Sequence, residues 1–194
     1  WRPMYFEVDG VEYCNERATA TQQTAFWLVG QARPGKTGIL WFGTDDAATS
    51  PLTPIYVNSL EVPECLREGN GTMLKYSDTS MFWITNRVAQ FAYLRYNSVG
   101  KTVRNHVDAW EVEAIKAVEA FDKEIAALSE KKARKMATAF SVKKAQQLFN
   151  LWEGLDEYLM VKYIDGNIKG DSFTELNFGE EYYNTLTRKN VTDG

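Results

Sequence analysis

Gly38-Ile39-Leu40-Trp41-Phe42-Gly43-Thr44-Asp45-Asp46-Ala47-Ala48-Thr49-Ser50 is a short apolar run between breakers, followed directly by two carboxylates and three hydroxyls. A bounded run of this length, rich in branched and aromatic side chains, is a strand, and its polar continuation is a turn. Upstream, Arg33-Pro34-Gly35-Lys36 reads as another turn, and residues 19–29 carry β-branched and aromatic types without Gly or Pro. These features predict a long strand hairpinned to the first. Downstream, Ile55-Tyr56-Val57 predicts a third strand. Pro54 has no N–H to donate, so that strand belongs at an edge or begins there. Asp9-Gly10 marks an earlier turn. Three adjacent antiparallel strands are therefore expected, with strands over about 1–62 and loop over about 63–77, where Pro63, Gly69, Asn70 and Gly71 break any period.

Beyond residue 77 the periodicity changes. Ser77-Asp78-Thr79-Ser80 offers several helix N-caps, and Met81 to Tyr96 places apolar residues all round a helical wheel, which predicts a buried helix. Val107, Trp110, Ala114, Val118, Phe121, Ile125 and Leu128 then form one stripe at steps of three and four, opposite Glu111, Lys116, Glu119 and Lys123. A break is expected at Lys131-Lys132. A second stripe follows through Met136, Phe140, Leu148, Trp152, Leu155 and Leu159, with Asp165-Gly166 suited to cap its end. The two helices should pair as an antiparallel hairpin, with helices over about 78–166 and an irregular tail over 167–194. The fold class is α+β, antiparallel strands followed by a long helical hairpin, in a single domain.

Composition narrows the function. A chain of 194 residues with 44% hydrophobic and 13% aromatic residues can bury a sizeable core and is not disordered as a whole. With 22 Lys and Arg against 26 Asp and Glu the net charge is -4, and the basic cluster Lys131, Lys132, Arg134 and Lys135 has no stacking aromatics beside it. It reads as a solvated helix start, and nucleic acid is not an expected partner. No apolar run approaches the roughly 18 residues of a membrane span, so no membrane partner is expected. Trp1-Arg2-Pro3-Met4 resembles neither a signal peptide nor a translation start, and residues upstream are expected.

Cys14, Cys65 and His106 are the only residues of their types. They cannot by themselves make a zinc site, and any Ser-His-Asp or Cys-His mechanism would have to use His106, which sits at a helix start. The cysteines suit either a disulfide in an oxidising compartment or two buried thiols in a reducing one, so the compartment stays open. Asn70-Gly71-Thr72 and Asn190-Val191-Thr192 match the glycosylation triplet, a pattern short enough to arise by chance.

Three stretches carry possible chemistry. Arg17 precedes Thr19-Ala20-Thr21-Gln22-Gln23-Thr24, which suits a site-lining strand or an edge strand with one wet face. Asp45 and Asp46 suit acid-base or cation chemistry, or a turn that caps its own backbone. Asn86, Arg87 and Gln90 lie inside an otherwise apolar helix and need partners.

Together, Trp41-Phe42-Gly43-Thr44-Asp45-Asp46-Ala47, Pro54-Ile55-Tyr56, Ser80 to Ala92 with Arg95-Tyr96, and Tyr158 to Asn167 resemble the C-terminal portion of the cysteine dipeptidase family of N-terminal-nucleophile hydrolases, relatives of penicillin V acylase and bile salt hydrolase. The resemblance implies part of an αββα sandwich and hydrolysis of short peptides by an N-terminal Cys whose own α-amine is the base. Residue 1 is Trp, so neither Cys14 nor Cys65 carries over, and no catalytic residue is expected in this chain. The resemblance implies no cofactor and no metal. The implied partners are a short peptide substrate and the missing N-terminal part of the same protein, with self-association of the isolated chain through the surface left open. Arg17 carries over as a substrate-facing or thiolate-facing cation, its alternative being a salt bridge to Glu12 or Glu16. Two other functions fit the same residues: a noncatalytic helical interaction module, and an acylase or amidase of the same fold.

Overall fold

In the computed structural model, which describes residues 5–15, 18–164 and 168–169, three antiparallel strands form the main sheet. Strands β1 (Tyr5–Val8) and β2 (Val11–Cys14) make a separate hairpin closed by Asp9 and Gly10, both at positive φ (53° and 77°). Such a turn matches the right-handed twist of a two-residue hairpin. The pairs Phe6↔Tyr13 and Val8↔Val11 share its apolar side, while Glu7↔Glu12 lies on the other.

The main sheet runs in the order β3 (Phe26–Gln31), β4 (Ile39–Thr44), β5 (Thr53–Tyr56). The three expected strands are present, with one correction. Residues 19–25 are not strand: Thr24 N–H closes a turn on the Thr21 carbonyl, and pairing begins only at Phe26. Thr and Gln have strand-compatible backbones, but 19–24 lacks the alternating apolar side chains that fasten a strand to a core. Pro54 lies in β5, which among the described residues pairs with β4 alone, as an edge requires.

Register divides the sheet by alternation. Ile39, Trp41 and Tyr56 face the helices, and Ile39 and Tyr56 are fully buried. Phe26, Leu28, Leu40, Phe42 and Ile55 share the other face, where Phe26 stacks on Phe42 (5.8 Å) and Phe26 and Leu28 stay 58% and 51% exposed. Among the described residues no second sheet covers this face.

Gly43 is required where β4 passes Trp27. A Cβ there would meet the indole, 2.8 Å from Cε2, and the ring is held by a bond from Nε1–H to Ser50 Oγ (2.9 Å). Gly43→Ala is expected to cost roughly 1–3 kcal/mol in urea unfolding, the cost of forcing extra volume into packed surroundings.

Three helices follow: α1 (Met81–Leu94), α2 (Lys101–Ile125) and α3 (Glu130–Tyr163), with a π turn over Tyr96–Gly100 between the first two. Ser80 occupies the N-cap position of α1 without a side-chain capping bond. The apolar wheel of α1 is only partly enclosed. Met81, Ile84, Val88 and Ala92 are buried, whereas Gln90 and Leu94 face water. The break between α2 and α3 falls at 126–129, and Lys131 and Lys132 lie in the first turn of α3, because two solvated lysines suit an exposed helix face and need no loop. The proposed cap at Asp165-Gly166 and the tail from 170 onward lie outside the described residues.

Helices α2 and α3 are antiparallel, as Phe121 on Phe140 (4.4 Å between centroids), Glu113 with Lys144 (2.8 Å) and Thr102 with Tyr163 (2.8 Å) show. Their stripes meet as expected. Val103, Val107, Trp110 and Ala114 pack with Leu148, Trp152, Leu155 and Leu159, and α1 adds Met81, Ile84 and Val88 to the same core. Toward the sheet a second cluster joins Val118, Phe121 and Ala137 to Ile39 and Tyr56. Fully burying such side chains contributes about 1.5–3 kcal/mol each before the entropy of ordering them.

Candidate functional site

The polar residues that end β4 meet the polar residues of α1. Thr44 and Thr85 share a hydroxyl hydrogen bond (2.9 Å), Asn86 Nδ2 donates to Asp45 Oδ1 (3.0 Å), and the Tyr93 hydroxyl donates to Asp46 Oδ2. Thr85, Asn86 and Tyr93 thus fasten α1 to three consecutive residues at the strand end. Asp46 caps its own turn: Oδ1 accepts the Ala48 N–H (3.0 Å), and its carbonyl accepts from Thr49 and Ser50. For Asp46 the turn-capping alternative therefore holds.

Asp45 differs. It sits at φ 67° with 1% exposure, and its Oδ2 is buried without a hydrogen-bond partner among the described residues. Burial pushes its carboxyl up, against the lowering effect of the Asn86 bond. Burial and the adjoining Asp46 carboxylate likewise push the Tyr93 hydroxyl up. Among the described residues no group of three or more His, Cys, Asp or Glu is placed to hold a metal ion. What this cluster does is position: it locks the end of β4 and its turn against α1.

Two buried ionic groups escaped the sequence reading. Asp122 of α2, 8% exposed, accepts from Arg33 (2.6 Å), Lys36 (3.3 Å) and the Tyr56 hydroxyl (2.7 Å). Arg33 also lies over the Tyr56 ring, 5.4 Å from its centroid. Burial, with the Asp122 carboxylate, drives the Tyr56 hydroxyl upward. Asp156 of α3, 3% exposed, pairs with Arg87 (2.6 Å), while its Oδ1 has no partner among the described residues. Asn86 and Arg87 thus have the partners their helix demanded; Gln90 faces water instead. A signal was available, since Asp122 and Asp156 each directly follow a stripe residue, Phe121 and Leu155, four positions after Val118 and Trp152, and so lie beside the inner face of their helices.

The remaining expected residues are placed as follows. Arg17 lies outside the described residues. His106 donates from Nδ1–H to the Thr102 carbonyl (2.9 Å) and lies near Tyr158, which is a structural role within the helices. Cys14 and Cys65 are free thiols, so the disulfide alternative is set aside, and the alternative of two buried thiols holds for Cys65 alone, because Cys14 ends an exposed hairpin strand. Cys65 sits in the short turn Glu64–Leu66 against the helical core, and burial pushes its thiol up to about 11. A thiol held neutral in this way is not a nucleophile. A colorimetric thiol titration of the folded chain is expected to count one fast cysteine, and a second only after unfolding.

Comparison with family profiles matches residues 5–109 to peptidase family C69, a span from β1 into the first turns of α2. No curated protein matches the chain. Covering more than half of the sequence and all five described strands, that match shows that the chain belongs to peptidase family C69, a cysteine dipeptidase family.

Proposed function

We propose that this chain is the C-terminal part of a cysteine-type dipeptidase with an αββα N-terminal-nucleophile sandwich, and that the nucleophile is an N-terminal cysteine outside these 194 residues. The family match over 5–109 carries the proposal. The uncovered apolar face of β3, β4 and β5 supports it, because a sheet sandwiched on one side only leaves the other face for a second layer. Neither cysteine fits the nucleophile's position: Cys65 is buried and Cys14 lies inside an exposed hairpin.

In the complete enzyme the α-amine takes the thiol proton, the thiolate attacks the peptide carbonyl, the C–N bond breaks as the leaving amine receives that proton, and water then hydrolyses the thioester, which frees the acid and restores the thiol. Arg17 faces the thiolate or the substrate carboxylate, for which a guanidinium is a matched fork of donors. In the complete enzyme the uncovered face is a contact for the rest of the protein, and in the isolated chain it is a contact for a second copy.

Dipeptide hydrolysis measured on the 194-residue chain and on the same chain extended upstream to its cysteine is the test. The short chain is expected to show no turnover and the extended one to hydrolyse dipeptides, with Arg17→Ala lowering kcat/KM while melting like Arg67→Ala, a surface reference. Turnover by the short chain that disappears with Cys14→Ala or Cys65→Ala overturns the proposal. A second reading, a noncatalytic helical module, is favoured by exposed Leu151, Tyr158 and Val161 along α3, beyond the matched residues. An extended chain inactive on every dipeptide tried would favour it.

A further inference from the structure

We propose that the Asn70–Gly71 bond is a deamidation site held closed by the fold, and that its modification opens the loop over 69–79 irreversibly. This is the one Asn-Gly pair in the sequence. Asn-Gly is chemically labile because glycine, lacking a side chain, leaves its backbone nitrogen free to reach the asparagine carboxamide. The Gly71 nitrogen attacks Asn70 Cγ, a C–N bond forms, the Cγ–Nδ2 bond breaks, and ammonia departs with the proton lost from the Gly71 nitrogen. Water then adds to either carbonyl of the resulting succinimide, leaving aspartate or isoaspartate.

The fold cannot avoid the labile pair by changing Gly71. That residue has φ 81°, and a Cβ would lie 3.1 Å from Ser77 Cβ and 3.2 Å from both the Lys75 carbonyl and Trp83 Cδ1. Glycine is thus required by the close approach of Trp83, whose Nε1–H is shared between the Thr72 and Lys75 carbonyls (both 3.1 Å).

The asparagine is restrained instead. Its Nδ2 donates to the Glu64 carbonyl (3.0 Å) and the Thr79 carbonyl (3.1 Å), and its Oδ1 accepts from Ser77 Oγ (2.6 Å) and Thr79 Oγ1 (3.0 Å). Turning the carboxamide onto the Gly71 nitrogen breaks all four bonds. The Gly71 N–H is itself engaged by the Gly69 carbonyl (3.0 Å). Residues 69–71 and 75–78 line an open cleft of about 390 Å³, through which water and base reach the bond once the loop yields.

Reclosing after reaction is disfavoured. A carboxylate at position 70 sets an oxygen, in place of an N–H donor, against the Glu64 and Thr79 carbonyls, so two hydrogen bonds become two repulsions. Those carbonyls belong to the turn carrying Cys65 and to the approach to α1, so the modification separates two segments that Asn70 ties together.

The test is peptide mapping by mass spectrometry after incubation at mildly alkaline pH, on the folded chain and on the chain in urea. The 70–71 bond in the folded chain is expected to deamidate roughly ten-fold or more slowly, since reaction then waits on local opening. Ser77→Ala with Thr79→Val, shown to be folded by circular dichroism, is expected to move the native rate toward the unfolded one. Thr79→Val alone, measured identically, serves if the double variant does not fold. Asn70→Asp is expected to raise amide hydrogen exchange across 69–79 and leave α3 unchanged. Equal rates in folded and unfolded chains, or a native rate unmoved when these hydroxyls are removed, overturns the proposal.

Discussion

Asp122→Ala is expected to destabilise the protein by about 3–5 kcal/mol, the cost of breaking a buried ion pair by removing one partner. Arg33 has a side chain only 12% exposed, and the substitution leaves its guanidinium without the carboxylate and the Tyr56 hydroxyl without its acceptor. Three segments are affected together: the β3–β4 turn through Arg33 and Lys36, the end of β5 through Tyr56, and the last turn of α2. Asp122→Asn keeps an oxygen for Tyr56 and should fall between wild type and Ala. The midpoint of urea unfolding, at unchanged slope, measures the loss. A loss below about 1 kcal/mol would place this network with solvent-exposed bridges.

Arg87→Met is expected to cost about 3 kcal/mol near neutral pH, toward the lower end for a buried pair because the Arg87 side chain is 41% exposed. Its signature is in the pH dependence. Burial raises the Asp156 carboxyl above its ordinary 3.8, and the attraction of Arg87 restrains the rise. A carboxyl raised in the folded state binds its proton more tightly there than when unfolded. Its favourable contribution is thus complete in acid, below the unfolded value, and is lost as pH climbs through the folded one. Removing Arg87 raises the folded value further and extends that loss to higher pH. Wild type and variant should therefore converge in acid and diverge as pH rises above 3.8, which unfolding curves across the pH range can follow. A gap independent of pH would mean that lost packing, and not the Asp156 charge, sets the cost.

The helices were legible because an amphipathic stripe reports its own burial: Val107, Trp110, Ala114, Val118 and Phe121 all face the core as their spacing implies. Residues 39–44 and 53–56 were legible from short apolar runs between breakers. Residues 19–24 misled because β-branched composition states only what the backbone tolerates, while strand pairing needs neighbours to bury against. The site was less visible for a different reason. Asp122 lies 89 residues from Arg33 and 66 from Tyr56, so no local spacing announces that they meet. Asn86 and Arg87 were recognised as needing partners, but Asp45 and Asp156 became their partners only through the way α1 crosses the strand end and α3.

Helix α1 lies within the residues shared with the family, yet the side chains that bury it come largely from α3, beyond residue 109. The boundary of the recognisable family pattern is therefore not a boundary of cooperative folding. A protein cut after Ala109 would keep all five strands and Asn86 with Asp45, and would lose Asp122, Asp156, Leu148 and Trp152. Met81, Ile84 and Val88 would then face water, and Arg33 and Arg87 would have no counter-charge. Inheritance of the family portion by a shorter or rearranged polypeptide thus requires some other helix pair in the place of α2 and α3, and transplanting residues 5–109 alone into a new host is expected to yield an insoluble product.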